Sequence, residues 1–310
     1  MKPKASRAAF GEAIEELGAK NTNIVVLDAD LRESTKTGAF AKKFPERAFE
    51  FGIAEANMIG AGVGLALAGK VPFVCSFACF ITGRFDQIKV SLCYSRAAVH
   101  VIGTHGGIAV GADGYSQQGL EDLALMRSLP HMLVLQPADE IETKAATQYL
   151  TSHKGPSYMR LTRHNLHPVN KDSYRFIPGK GVILSEGKDV TLVASGGTVK
   201  PALDAAEALA QAGKSAQVIN IHTLKPIDTE LLAEAARKTR RLVTIEDHTI
   251  YGGLGGAVAE ALSETNPVPI KRIGLTDFGE SGETDELLEK HGLSSRRIAD
   301  QVLEFLKRLV

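Results

Sequence analysis

The 310-residue chain is 44% hydrophobic and 23% charged, the mix of an ordinary globular protein with room for two domains. Its 36 basic residues balance 36 acidic ones, so no global field draws it to nucleic acid or to an anionic membrane. The N-terminal MKPKASRAAF lacks the apolar core of a secretion signal, and the longest apolar run, Met58 to Gly69, is too short and Gly-rich to span a bilayer; a cytoplasmic protein is expected.

Taken in order, Ala9, Ala13, Ile14 and Leu17 fall on one face and predict an amphipathic helix over 5–17. NIVVLDAD reads as a buried strand ending in Asp28 and Asp30, followed by a polar loop, LRESTKT, and a short helix, GAFAKKF. The stretch FEFGIAEANMIGAGVG begins like a short buried strand and continues into a Gly- and Ala-rich helix, with one carboxylate, Glu55, at the join. Apolar or small neighbours (Phe51, Ile53, Ala54, Met58, Ile59) place Glu55 in a buried crevice, where a carboxylate is paired, hydrogen-bonded or used in chemistry. The plainer reading is a Glu that suits the helix dipole. Gly60, Gly62 and Gly64 weaken that helix by about 1 kcal/mol each relative to Ala, which predicts very close packing against something.

VPFVCSF is the next strand, TGRFDQIKVSLC a helix, and AAVHVIGTHGG a strand running into a Gly-rich loop, GGIAVGADGYSQQG. LEDLALMRSLP is helical, MLVLQPAD a strand, EIETKAATQYLTS a helix and PSYMRLTR a strand. This alternation predicts a mostly parallel sheet with helices on both faces. Between Arg163 and Gly181 the periodicity fails, the mark of a linker. A second α/β unit follows, with strands DVTLVAS, SAQVINI, RLVTIED and PIKRIGL and helices starting near Val199, Asp228 and Gly255. Lys225-Pro226-Ile227-Asp228 reads as a loop into a helix capped by Asp228 or Thr229. The expected division is a first domain over 1–165, a linker over 166–181 and a second domain over 182–310.

Ligands of parallel sheets bind outside the carboxyl ends of the strands. The first domain places Asp30, Ser34, Glu55, Phe77, Phe80, His105, Asp113, Gln117 and Arg163 there. The two aromatics of FACF either stack a flat heterocycle or form a core pair. His105 is either catalytic or structural, and Arg7 and Arg163 either grip a phosphate or carry solvated charge. The three cysteines, Cys75, Cys79 and Cys93, read as core thiols in a reducing compartment, and no fourth ligand stands at metal spacing. No P-loop and no G-x-S-x-G elbow occurs. YGGLGGAVAE matches part of a dinucleotide fingerprint, but Val258 stands at the third glycine position.

The runs FEFGIAEANMIGAGVGLALAGKVPFVCSFACFITGRFDQIK, GTHGGIAVGADGYSQQGLEDLALMRSLP and PSYMRLTRHNL together resemble the thiamine-pyrophosphate pyrimidine-binding domain of transketolases. HTLKPID and TIEDHTIYGGLGGAV resemble that family's C-terminal domain, so the resemblance spans essentially the whole chain. The family's GDG motif with its Asn pair, which holds the diphosphate and Mg²⁺, has no counterpart: the near match is Gly111-Ala112-Asp113-Gly114, and no Asn occurs between Asn57 and Asn165. The chain therefore resembles the C-terminal half of a two-chain transketolase, whose N-terminal partner subunit would hold the diphosphate and Mg²⁺ in an α2β2 assembly.

The resemblance implies that Glu55 hydrogen-bonds the aminopyrimidine of thiamine diphosphate, that Phe80 stacks on it with Phe77 alongside, and that Asp113 and Gln117 contact the donor hydroxyl or the cofactor. It also implies that His105 lines the substrate channel and that Arg7, Ser34 and Arg163, with His105, bind the terminal phosphate of a sugar. A two-carbon ketol unit would then pass from a ketose phosphate to an aldose phosphate. Gln117 stands where many transketolases carry His, and Gln cannot shuttle a proton near neutral pH. The alternatives are a deoxyxylulose-phosphate synthase-like subunit, the beta subunit of a 2-oxo acid dehydrogenase, and a regulatory half without catalysis.

Overall fold

The computed structural model describes residues 2–308. The first half runs β1 (Lys4–Ala5), α1 (Ser6–Lys20), β2 (Ile24–Asp28), α2 (Arg32–Thr35), α3 (Gly38–Lys43), β3 (Ala48–Glu50), α4 (Glu55–Leu67), β4 (Val71–Phe77), α5 (Ala78–Thr82), α6 (Phe85–Gln87), β5 (His100–Thr104), α7 (Asp122–Ser128), β6 (Leu133–Leu135), α8 (Glu140–Leu150), β7 (Ser157–Arg160) and β8 (Asn165–Leu166). The second runs β9 (Val182–Ser185), β10 (Val190–Ala194), α9 (Val199–Gln211), β11 (Ala216–Asn220), β12 (Thr223–Lys225), α10 (Thr229–Thr239), β13 (Leu242–Thr249), α11 (Leu254–Ser263), β14 (Ile270–Leu275), α12 (Thr284–Lys290) and α13 (Ser295–Lys307).

Two α/β layers result, as the alternation predicts. A seven-stranded sheet has the order β12-β6-β7-β5-β4-β2-β3, and a five-stranded sheet the order β14-β13-β10-β11-β9. The pairs among β2 to β7 are parallel, as are those joining β10 to β11 and β13 and joining β13 to β14. The central strands are near-continuous apolar runs because helices cover both faces; in β2 (IVVLD) and β10 (VTLVA) every residue is buried, Asp28 and Thr191 included. Register sets the site. Phe77 lies opposite Thr104 and Gly103 opposite Arg160, so the carboxyl ends of β4, β5 and β7 are level.

Several elements depart from the sequence reading. The AFE strand is an exposed sheet edge, not a buried strand, and Ile53 is 83% exposed, so only part of the apolar setting expected around Glu55 comes from this chain. LRESTKT carries a helical turn, α2, held because the Asp28 carboxylate accepts the Thr35 and Thr37 hydroxyls at 2.6 and 3.0 Å. The helix expected over 82–93 is broken: after α6 it widens into a π-helical turn over Ile88–Tyr94. Of the three glycines in α4, only Gly62 meets its own domain, where a Cβ would lie 2.7 Å from Val74 Cγ2; Gly60 and Gly64 have nothing within 4 Å and face outward.

The segment HTLKPID is not only a loop of the second domain. β12 crosses over and pairs antiparallel with β6, extending the first sheet. Lys225 Nζ fixes it by donating to Arg127 O and Leu129 O at 2.7 and 2.5 Å, where α7 presents its orphan carbonyls. Asp228 caps α10 through Leu231 N. The aperiodic stretch after Arg163 is likewise packed: β8 pairs with β1, and the Asp139 carboxylate accepts Val169 N and Asn170 N at 2.9 and 2.7 Å. Among the described residues no helix is long and apolar enough to cross a membrane.

Buried Glu142 ties these parts together. Its carboxylate accepts Ala138 N (2.7 Å), the Tyr174 hydroxyl (2.7 Å) and Asn220 Nδ2 (3.0 Å), joining the first domain, the connecting segment and the second sheet. Burial outweighs these bonds and pushes its carboxyl up to about 7. A raised acid pKa means that the folded protein keeps a proton the unfolded chain releases. This stability is therefore complete below the usual 4.5 and is lost as the pH climbs through 7. Glu142→Gln cannot titrate. Between about pH 5 and about pH 8 its thermal stability should fall by on the order of 2 kcal/mol less than that of the parent, read by circular-dichroism melting. Parallel slopes would rule this coupling out.

Candidate active site

Arg7, in the first turn of α1, reaches across the ends of the strands. Its Nη1 donates to the Ser34 carbonyl at 2.8 Å and meets His105 Nε2 at 3.1 Å. An arginine can only donate, so Nε2 accepts and carries no proton. The His105 proton therefore sits on Nδ1 and points to Thr104 Oγ1 at 2.9 Å. Burial first, then the charges of Arg7, Arg163 and Lys36, pull the His105 pKa down to about 3, so the ring is neutral at any physiological pH. Backbone geometry aims it: His105 sits at φ +58°, a conformation uncommon for a residue with a side chain.

Phe77 ends β4 and Phe80 follows in α5. Their rings are parallel, 8° apart with centroids at 5.4 Å, and the other side of the stack is His105, 3.6 Å from Phe77. Phe77 is buried and Phe80 half-buried, so the stack runs from the core outward. Glu55, the first residue of α4, is 4% exposed. Among the described residues nothing donates a hydrogen bond to its carboxylate, and the nearest cation is Arg84 Nη2 at 3.9 Å. A buried carboxylate so poorly satisfied requires a donor from elsewhere.

The third part is the loop after β5. It is pinched where Gly107 N donates to Gly119 O at 2.8 Å and Gly119 N to His105 O at 3.2 Å. Asp113, exposed, lies 3.8 Å from Arg163 Nη2, while Arg163 Nη1 donates to Val110 O at 2.6 Å. Both partners are more than a third exposed, so this ion pair is worth about 0–1 kcal/mol and leaves Arg163 free to turn to a ligand. Gln117 is half-buried, anchored through its backbone to Gly114 O at 3.1 Å. Burial and then the neighbouring Arg163 lower the Arg7 pKa, against the pull of Asp113. Arg7 Nε is buried without a partner, and the Ser34 hydroxyl has none among the described residues. Two like charges, a spare N–H and a spare O–H form an incomplete anion site.

Arg7, Ser34, Phe77, Phe80 and His105 thus form one continuous set, Asp113 and Arg163 a second that meets it through the charges around Arg7, and Glu55 stands with Arg84 at the start of α4. Sequence reasoning missed Arg84, although GRFDQ places a cation four residues after Phe80. It also missed the buried Asp122, Arg160 and Asp247, whose signal is spread over distant segments. The partial dinucleotide fingerprint is filled from within: the Glu246 carboxylate accepts Leu254 N and Gly255 N at 2.6 and 2.9 Å, at the start of α11. The three cysteines are free, and burial pushes Cys79 up to about 12 and Cys93 to about 11, which keeps both as thiols. Among the described residues no cluster of His, Cys, Asp and Glu is placed to hold a metal.

Comparison with known proteins gives this arrangement a family. The transketolase pyrimidine-binding domain matches residues 2–168, and the transketolase C-terminal domain matches residues 179–298. A putative transketolase C-terminal section of Methanocaldococcus jannaschii is 44% identical, covering 98% of this chain and 97% of that protein. A 6-deoxy-6-sulfo-D-fructose transketolase subunit of Clostridium sp. is 41% identical over 97% of this chain and 94% of its own length. A solved split-gene transketolase, described as an inactive β4 tetramer, superposes with a TM-score of 0.91 at 47% identity, covering 98% of this chain and 99% of its own. The chain belongs to the transketolase family, as the C-terminal half of a split transketolase-like protein built from the pyrimidine-binding and C-terminal domains.

Proposed function

We propose that this chain is the C-terminal subunit of a thiamine-diphosphate-dependent ketol transferase acting on phosphorylated sugars and completed by an N-terminal subunit. The observation that carries this is Glu55, a buried carboxylate that receives no hydrogen bond among the described residues, in a domain whose strand ends also carry an outward-running aromatic stack. Those two features fit an aminopyrimidine, whose ring nitrogen can share one proton with the Glu55 carboxyl group and whose flat face can meet Phe80. Bound there, thiamine diphosphate would supply the electron sink that lets a carbon–carbon bond beside a carbonyl break and re-form. Glu55 would hold a proton at the pyrimidine nitrogen, and Phe77 and Phe80 would exclude water from one ring face.

Arg7, Arg163 and the Ser34 hydroxyl would grip the terminal phosphate. Once Arg7 turns to that anion, His105 Nε2 is released as an acceptor for a sugar hydroxyl, with the proton still on Nδ1. Asp113 would orient the donor hydroxyl, and Gln117 a substrate hydroxyl or the cofactor. Gln117 moves no proton, so it bears on which sugars fit and not on the type of reaction.

The diphosphate and its Mg²⁺ would be held by the N-terminal subunit, since the family's GDG motif with its Asn pair has no counterpart in this sequence. The outward face of α4 and the π-helical turn supports assembly: Gly60 and Gly64 lie open beside Ile53, Leu67, Val90 and Tyr94, all well exposed. An α2β2 complex covering this face would bring Glu55 into a closed crevice.

The experiment is to purify this chain alone and with its N-terminal partner. Alone it should show no ketol transfer; the mixture should show transfer that depends on thiamine diphosphate and Mg²⁺. Transfer by the isolated chain, or none after mixing, would overturn the proposal. In the assembled complex, Glu55→Ala should melt like the parent yet turn over about 10²–10⁴-fold more slowly, the range for a lost proton-handling group. Near-normal turnover would remove Glu55 from the chemistry. Arg163→Ala should raise KM for phosphorylated donors about tenfold or more while sparing the unphosphorylated donor hydroxypyruvate. Equal losses on both would count against phosphate binding there.

A further inference from the structure

The loop that carries Asp113 combines one residue in an uncommon conformation, His105 at φ +58°, with glycines that take positive φ freely and stiffen nothing, Gly107 at +95°, Gly111 at +83° and Gly114 at +77°. Such a loop keeps one shape only if its surroundings over-determine it. Its own domain holds the neck and contributes Arg163 to Val110 O. Nearly everything else that grips its body comes from the second domain. Asp247, at the end of β13, accepts Ile108 N at 2.7 Å through Oδ1, and its Oδ2 lies where a Cβ on Gly107 would be, at 1.9 Å. Thr284, at the start of α12, donates to Ala109 O at 3.3 Å, and Ser281 donates to Ala112 O at 2.6 Å. A Cβ on Gly111 would meet Thr284 Oγ1 at 3.2 Å and Gly282 O at 3.3 Å. Gln118, at the far end of the loop, donates to both Ile108 O and Glu280 O.

We propose that the second domain is a clamp for substrate geometry: Asp247, Ser281 and Thr284 are positioning residues that set where Asp113 stands, without touching substrate or cofactor themselves. The clamp holds peptides 108–112, and Asp113 is the next residue along. Asp113's one charged contact in its own domain, Arg163 at 3.8 Å, is too exposed to hold it alone. The segment 278–284 is therefore a place where a change outside the catalytic domain alters which sugars are accepted. This inference rests on the ketol-transfer reading of the same loop.

The test uses the assembled two-chain complex carrying the double substitution Ser281→Ala, Thr284→Val, and separately Asp247→Ala and Asp247→Asn. Hydrogen exchange of the amides of residues 108–114 should quicken about tenfold or more in the double variant and in Asp247→Ala. With it, kcat/KM for a phosphorylated donor should fall about 10- to 100-fold, the usual result of a displacement of about 1 Å, while the affinity for thiamine diphosphate stays within about twofold. Asp247→Asn keeps an oxygen acceptor for Ile108 N and should recover most of both losses. Unchanged exchange with kcat/KM within about twofold of the parent would overturn the clamp, as would cofactor affinity falling in step with activity. A parent complex without ketol transfer would sink the functional reading instead, and the exchange measurement would still decide the clamp.

Discussion

One buried cation holds the molecule's working parts in register. Arg160, at the end of β7, is 1% exposed, and its Nε donates to both carboxylate oxygens of fully buried Asp122, at 3.1 and 3.0 Å. The Tyr158 hydroxyl donates to the same carboxylate at 2.6 Å, and Arg160 Nη2 donates to Gly119 O at 2.6 Å and to Asp247 O at 2.9 Å. One guanidinium thus joins the end of the first sheet, the start of α7, the neck of the loop after β5 and the last residues of β13. Such a pair adds little net stability over apolar packing, but breaking it by removing one partner costs about 3–5 kcal/mol. Its value is specificity of arrangement: a Cβ on Gly106 would lie 2.5 Å from Arg160 Nε, so the loop can close its neck only where the chain has no side chain.

The parts of the fold that were legible in the sequence are those whose cause is local. β2, β4 and β10 are near-continuous apolar runs because helices cover both faces, and α10 announces itself through the cap Asp228. What was not legible depends on partners far along the chain. β12 is three residues long and becomes a strand only because β6 offers an unpaired edge and α7 offers carbonyls to Lys225. β9, antiparallel to β11, is half-exposed and lies in a stretch without periodicity. Phe49, in an apolar-looking run, sits on an open edge, and α4 turns two of its glycines outward, with nothing within 4 Å of where their Cβ atoms would stand.

The site was legible to the same degree. Phe77, Phe80 and His105 could be placed from strand ends, since β4 and β5 end level and anything just past them must meet. The tautomer of His105 could not, because it depends on Arg7, 98 residues away in sequence. Nor could the role of Asp247, whose partner Ile108 lies 139 residues earlier.

Three buried glutamates show why satisfaction of hydrogen bonds separates framework from function here. Glu142 has both oxygens bonded, to Ala138 N, Tyr174 and Asn220. Glu246 has both oxygens bonded to the first amides of α11, and burial pushes its carboxyl up to about 7; a Cβ on Gly253 would lie 2.0 Å from it, so the glycines that resemble a dinucleotide fingerprint exist to admit this side chain. Each of these carboxyl groups has both of its oxygens engaged by its own chain. Glu55 has no donor among the described residues, and the same contrast divides the arginines: Arg160 is held by Asp122, Gly119 and Asp247, whereas Arg7 keeps a buried N–H with no partner. An unsatisfied buried group costs about 1–3 kcal/mol, more when charged, unless water or a ligand pairs with it. Arg7 Nε shares that state with Ser76, His100 and Arg127 among others, and what sets Arg7 and Glu55 apart is their place at the carboxyl ends of the first sheet. The second domain, its own helix terminus filled by Glu246, is left with the task of holding the loop between them.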